Sequence, residues 1–334
     1  MEALLTILVG SPALQTLSLI NSSPTTSNGF PVQLKCFSAL TIRTKQFAPT
    51  CLHLLRYLII PPSTMVDIFY NTEALDDYML TRFISYVSPT SATTYDTIRV
   101  SHRRGFAYHL FNSARPWWSC RFKIKGGTLQ SDFCHATRAL MNTLKFSNVT
   151  TLHLTGATTA GVWIILAQHL HRVQTLHLHE TTPASWLDFL LTQAMFVLGI
   201  THWKYKEHGL SFRAKDGSLA HAWPGLRCLS LHKLNLGHDV RGTSDPLQPS
   251  RSEMLRALLW ARREGGARIT RLEIEDCRNV FSHDLMHFRL FSDVEHDGKG
   301  LVITTGEEYE SLGVYSIDVL MRMLERADGC STKE

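Results

Sequence analysis

The sequence predicts an α/β fold: a curved parallel sheet with crossover helices, built as an irregular solenoid of short repeats. Three observations predict it. An apolar hexad recurs along the chain, helical spacing fills the intervals between hexads, and the composition is that of a packed globular protein. Of 334 residues, 44% are hydrophobic and 19% charged, which excludes a disordered or low-complexity chain. A chain of this length has enough interior for one large core or two medium ones.

The hexad reads apolar, two residues, apolar, one residue, apolar. Clear copies are Leu14/Leu17/Leu19, Phe37/Leu40/Ile42, Val149/Leu152/Leu154, Val173/Leu176/Leu178, Leu226/Leu229/Leu231 and Ile269/Leu272/Ile274. Weaker copies are Tyr95/Ile98/Val100 and Ser119/Phe122/Ile124, and Val66/Ile68 follows a Pro-Pro-Ser-Thr turn. This is the L-x-x-L-x-L signature of leucine-rich repeats, whose step is about 20–29 residues. Alternate residues of each short strand point inward and those between them point to the opposite face. One such strand cannot hide its apolar side alone, so the strands stack in parallel and bury a continuous core. Longer steps place insertions at 199–225 and 237–250. The competing structural reading is another α/β sheet fold.

Helical spacing is visible over Ser131 to Leu144, Thr159 to Leu170, Ser185 to Leu198 with Ser185 as N-cap, and Ser252 to Glu264 ending at Gly265-Gly266. Val294 to Thr304 reads as two short strands around a hairpin turn near Asp297-Gly298. Ser316 to Ala327 reads as a helix, so residues 291–334 are expected to form a C-terminal cap. The strand–helix alternation throughout predicts a single repeat domain over 1–334.

The run Leu52 to Tyr57, Leu58-Ile59-Ile60, Pro61-Pro62-Ser63-Thr64 and the strand Val66 to Phe69 resembles the helix–PPST–strand unit of fungal F-box/leucine-rich-repeat-like proteins. Phe37 to Ile42 and Ile269 to Cys277 resemble the same family. The resemblance implies target recognition by the repeats and, through an N-terminal F-box, docking to a ubiquitin-ligase scaffold. Met1 to Leu19 reads as the end of a helix and a repeat strand, which leaves no room for an F-box bundle. The scaffold is therefore a partner only if an F-box is supplied elsewhere.

Seven scattered cysteines with no C-x-x-C pair argue against a zinc ribbon or disulfide framework. They read as reduced, mostly buried thiols of a cytoplasmic or nuclear protein. No stretch reads as a signal peptide or a membrane span. G-x-S-x-G, the phosphate loop, G-x-G-x-x-G and H-E-x-x-H are all absent, so no enzyme and no cofactor are expected.

The repeat register places His153, His177 and His179 together on the outward, concave face. Three imidazoles are candidate ligands for zinc or copper, with Glu180 or His232 as a fourth group, and would support a His-based hydrolase. The plainer reading, a solvated His-rich face without metal, is preferred. From Thr97 to Ser131 there are seven cations and no acid, interleaved with aromatics; from Glu264 to Glu334 there are 15 acids against 8 Lys or Arg. The overall charge of +5 is too mild for a nucleic-acid binder, although Arg with aromatics could contact an acidic ligand or bases. The expected function is a non-enzymatic protein–protein interaction module. Its partner-binding concave face comprises Arg43, Arg99, Lys123, Lys125, His153, His177, His179, Glu273 and Glu275.

Overall fold

The computed structural model describes residues 2–20, 30–44, 54, 56–61, 64–71, 95–102, 106–113, 115–125, 130–144, 146–156, 159–180, 183–199, 221–237 and 250–303. The chain divides into two compact units, Met1–Thr155 and Gly156–Glu334. Both are mixed α/β. Among the described residues no helix is long and apolar enough to cross a membrane.

The first unit runs α1 (Glu2–Val9), β1 (Thr16–Ile20), β2 (Val32–Gln33), β3 (Ala39–Thr44), β4 (Leu58–Ile59), β5 (Met65–Asn71), β6 (Thr97–His102), β7 (Phe106–Asn112), β8 (Arg115–Lys125), α2 (Gln130–Thr143) and β9 (Thr151–Gly156). Seven of these strands form a sheet in the order β1-β3-β5-β8-β7-β6-β9, and β2 pairs separately with β4. The hexads stack in register. Leu17 lies opposite Leu40 and Leu40 opposite Val66, while Leu19 lies opposite Ile42 and Ile42 opposite Ile68. Between β5 and β8 the pairing stays parallel, but Val66 faces Cys120 and Ile68 faces Phe122. The hexad at Ser119/Phe122/Ile124 is thus two residues out of step, which preserves the face because side chains alternate with period two.

The parallel strand–helix alternation does not hold throughout. β6, β7 and β8 form an antiparallel meander, with Val100 opposite Tyr108 and Tyr108 opposite Phe122. In Phe106–Asn112 the alternate residues Tyr108 and Leu110 are buried, so antiparallel pairing with both neighbours hides this side without a crossover helix. The row Ile98, Val100, Tyr108 and Leu110 is buried. Tyr108 shares a 2.6 Å hydrogen bond with Thr137, which places α2 on this buried side of the sheet.

The second unit runs α3 (Ala160–His169), β10 (Thr175–His179), α4 (Pro183–Val197), β11 (Cys228–His232), α5 (Arg251–Glu264), β12 (Arg271–Glu275), β13 (Val280–Phe281), α6 (Ser282–Arg289), β14 (Asp293–His296) and β15 (Leu301–Val302). Here the three expected hexad strands pair in parallel, and a fourth strand joins them. Strands β10, β11, β12 and β14 are adjacent and parallel, stacking Leu176, Leu229, Leu272 and Val294 in one row and Leu178, Leu231, Ile274 and His296 in the next. Trp163, Phe189 and Trp223 pack against one another within 6.2 Å, bringing α3, α4 and the approach to β11 into one core.

A turn precedes strands in both units. The first hexad residue donates its amide three residues back: Leu14 to Ser11, Phe37 to Leu34, Val149 to Phe146, Val173 to Leu170 and Leu226 to Trp223, at 3.0–3.3 Å. In the second unit three strands also close on a left-handed residue, namely Glu180 (φ 48°), Lys233 (φ 55°) and Asp276 (φ 51°), one position past β10, β11 and β12. A polar side chain tolerates that conformation better than a branched one.

Element boundaries shift in ways local chemistry explains. α4 starts at Pro183, so Ser185 lies inside its first turn; proline suits that position because its missing N–H would be unsatisfied anyway. α5 starts at Arg251 because Ser250 is its cap: Ser250 Oγ accepts from the Glu253 amide and the Glu253 carboxylate accepts from the Ser250 amide. The hairpin expected around Asp297-Gly298 is not one. β14 pairs in parallel with β12, and β15 in parallel with β13. The turn delivers Gly300, at φ 65°, against the Cys277 carbonyl, where a Cβ would sit 2.0 Å from the oxygen.

The 199–225 insertion is described only at its ends. Ala222 and Trp223 are core, and their carbonyls accept from the buried Arg262 guanidinium at 3.0 and 2.8 Å, while its Nε donates to Ala267 O at 3.1 Å. Three carbonyl acceptors satisfy the buried cation without a carboxylate; burial, and then Arg227, lower its pKa to about 10. Residues 238–249, the helix expected over Ser316 to Ala327, and most of the 291–334 cap lie outside the described residues.

Candidate functional site

Alternation fixes which residues share the polar side of each sheet. In the first unit one rung runs Ser18, Thr41, Asp67, Arg121, His109, Arg99 across β1, β3, β5, β8, β7 and β6. The next runs Ile20, Arg43, Phe69, Lys123, Ala107, Ser101, and Lys125 sits opposite Asn71. Arg43, Arg99, Lys123 and Lys125 therefore hold positions on one face, as expected. His153 joins them. The Asp96 carbonyl accepts from the Thr150 and Thr151 amides at 2.9 and 3.0 Å, the same pattern by which Gln15 receives β3, so His153 stands opposite Arg99.

The sequence reading left out Arg121, Asp67 and His109. Arg121 could have been found by parity, since it lies two residues before Lys123 on the same strand. His109 was hidden because β7 was not foreseen. The Arg121 guanidinium lies 3.7 Å from Asp67 Oδ1. Arg99 sits over the Phe111 ring at 5.8 Å, and His109 packs on the same ring at 4.9 Å. Burial pushes His109 down to about 4, and the Arg121 and Arg99 charges push the same way against Asp67, so its imidazole is neutral at physiological pH. Asp96 anchors the meander at one end. Its carboxylate accepts from the Ser113 amide and hydroxyl and from Thr97 Oγ1. Burial raises its pKa, but these hydrogen bonds outweigh that and hold it below the usual value.

In the second unit the polar rungs are Thr175, Cys228, Arg271, Asp293; then His177, Ser230, Glu273, Glu295; then His179, His232, Glu275. His177, His179, Glu273 and Glu275 share a face, as expected. Arg271 bridges two rungs, with Nε 3.0 Å from Glu273 and Nη2 2.8 Å from Glu295. At this exposure the pair contributes little to stability. His179 and His232 stack at 4.3 Å, and His232 Nε2 lies 4.0 Å from Glu275 Oε1. The Cys228 thiol is pushed up to about 11 by burial, with Glu273 raising it further, so it is protonated at neutral pH and a poor nucleophile.

The three histidines singled out as metal candidates fall in different units, His153 in the first and His177 and His179 in the second. Among the described residues no group of three or more His, Cys, Asp or Glu is placed to hold a metal ion. Of the four cysteines whose side chains are described, none is in a disulfide; Cys277 is buried, Cys134 and Cys228 are half-buried and Cys36 is exposed, so the expectation of mostly buried thiols does not hold for this set. Comparison with protein-family models, curated proteins and solved structures returns no match.

Proposed function

We propose that the chain is an irregular leucine-rich-repeat module that binds a protein partner non-covalently and is not an enzyme. One observation carries the reading. Strands whose apolar residues are stacked in register leave a row of charged and imidazole side chains on the opposite side, a surface shaped by repetition rather than by a cleft. The Cys277 position supports the repeat assignment. It falls three residues after Ile274, where the leucine-rich consensus calls for Asn or Cys, and its thiol donates to Leu231 O on the neighbouring strand at 3.4 Å. A thiol raised to about 11 by burial suits that structural role better than catalysis.

In this reading Arg43, Arg99, Lys123, Lys125 and His153 present one contact surface, and His177, His179, Glu273 and Glu275 another. The resemblance to F-box/leucine-rich-repeat-like proteins suggests target recognition for a ubiquitin ligase, with the scaffold docked through an F-box supplied elsewhere. The test is affinity purification with mass spectrometry, comparing the natural chain with a Lys123→Glu/Lys125→Glu double variant. Partners recovered by the first and lost by the second, at unchanged melting temperature, are expected. Identical recovery would remove this face from the interface, and a Skp-type adaptor among the partners would support the ligase assignment.

A further inference from the structure

We infer that Arg227, Arg263 and Arg268 of the second unit form a binding site for a phosphate group, at the turns that lead into β11, β12 and β14. The site lies at the strand entrances rather than on the polar rungs, so it adds a ligand to the binding-module reading without depending on it.

Convergence is the first observation. Arg263, in the last turn of α5, donates through Nη1 to Leu290 O at 3.3 Å. Arg268, in the turn before β12, donates through Nε to the next carbonyl, Phe291 O, at 2.8 Å. Two guanidiniums from different segments therefore meet at consecutive carbonyls of one turn. Arg227 repeats the device one strand earlier, with Nη1 3.4 Å from Arg268 O. Adjacent strands lie about 4.8 Å apart, so an arginine that reaches one strand onward brings its charge beside the next. A guanidinium has five N–H donors, and these carbonyls occupy one on each, which leaves every fork able to hold an anion.

Missing counter-charge is the second. Among the described residues Glu264 is the one carboxylate within ion-pair range of the three, its Oε1 4.0 Å from Arg263 Nε with both side chains about half exposed. Glu273, Asp293 and Glu295 stand on the polar rungs with Arg271, which pairs with the two glutamates. Arg262, beside Arg263 in sequence, is fully buried and held by carbonyls alone. The Arg227 charge helps to lower its pKa, so the buried and exposed cations share one neighbourhood and an anion here offsets both.

The arrangement favours phosphate over other anions. A phosphate monoester presents three terminal oxygens, one for each guanidinium, whereas a carboxylate has two, and the planar arginine fork suits such oxygens better than a lysine ammonium does. Two of the three arginines gather at a single turn, which fits one group better than an extended nucleic-acid backbone. Of the described aromatic residues here, Trp223, Phe288 and Phe291 are buried and Trp260 is half-buried, and Arg263 lies over the Phe291 ring at 5.9 Å, so none is fully exposed for base stacking.

The experiment titrates the full chain, in dilute chloride buffer, with a fluorescent glycine-rich peptide carrying one phosphoserine. The unphosphorylated peptide, the same peptide with glutamate in that place, and single-stranded oligo-dT are controls, and inorganic phosphate is the competitor. The phosphoserine peptide is expected to bind, to be displaced by inorganic phosphate, and to bind about tenfold more weakly to the Arg227→Gln/Arg268→Gln variant. Arg263→Lys/Arg268→Lys, which keeps the charge but not the fork, should weaken it about threefold. Glu264→Gln should tighten it about twofold, a gain that a merely unfolded variant could not give. Arg138→Gln, on α2 of the first unit, should leave it unchanged, and melting curves of each variant separate folding from binding. Displacement by inorganic phosphate at concentrations similar to the peptide's supports the site with a free phosphate as its ligand; displacement only by a large excess supports it with a phosphorylated side chain of a partner. No phosphate-dependent binding, equal binding of the glutamate peptide, tighter binding of oligo-dT, or equal affinity of the natural chain and both arginine double variants would overturn the inference.

Discussion

The parallel strands β10, β11, β12 and β14 and the antiparallel trio β6, β7 and β8 bury the same kind of apolar row by different connections. In the first set each strand returns through a helix or a long segment, and Leu229 sits between Leu176 and Leu272 with a full neighbour on either side. In the second the chain doubles back directly, and Leu110 sits between Ile98 and Cys120. The polar sides differ accordingly. Parallel stacking repeats a position from strand to strand and gives the carboxylate-rich rungs around Arg271. The meander instead brings residues from a short basic stretch of sequence, Arg99, His109 and Arg121, onto one rung. Local folding back is what concentrates that charge.

The largest expected effect tests whether the two rows are equivalent cores. Leu229→Ala and Leu110→Ala each empty a fully buried site and should cost about 3–4 kcal/mol in denaturant unfolding. A cost below about 1 kcal/mol at either position would mean that its row is not a packed core.

A smaller effect distinguishes the two environments by pH. His109 in the meander and His221 near the end of α5 are both held at about 4, below the ordinary 6.5. Burial is the main cause for both; Arg121 and Arg99 add to it at His109, and Arg262 at His221, where the bond to Gly265 O opposes the shift. Each native state prefers the neutral ring while the unfolded chain takes up a proton first. The stabilisation is therefore complete above about pH 6.5 and is lost as pH falls towards about 4. Urea midpoints measured across that window should fall with pH, and His109→Gln or His221→Gln should each flatten part of the slope. Added salt should soften the His109 share more, because the arginines beside it are exposed and screened. A slope unchanged by both substitutions would contradict the assigned environments.

Much of the architecture was legible because hexads advertise themselves: Leu176, Leu229 and Leu272 stack as their spacing requires. The helices over 130–143, 160–169 and 251–264 were legible from their apolar stripes and, for the last, its Gly-Gly stop. The meander was not, because Phe106–Asn112 is a short alternating segment whose partner choice depends on turns and tertiary context rather than on its own pattern. β14 and β15 were found as strands but mispaired, since nothing local to Asp297-Gly298 tells a hairpin from a turn that changes sheets. On the site, parity alone placed Arg43, Arg99, Lys123 and Lys125 together. It could not supply His109 or the Asp67–Arg121 pair, which exist only once strands distant in sequence are laid side by side.

In the proposed reading the polar side of these sheets, and not their helical side, meets the partner. Arginine-directed chemical footprinting of the chain, alone and with its purified partner, tests this most directly. Arg43, Arg99 and Arg121 are expected to lose reactivity on binding while the exposed Arg138 of α2 and Arg289 of α6 keep theirs. Protection of Arg138 or Arg289 with the face arginines unchanged would contradict it.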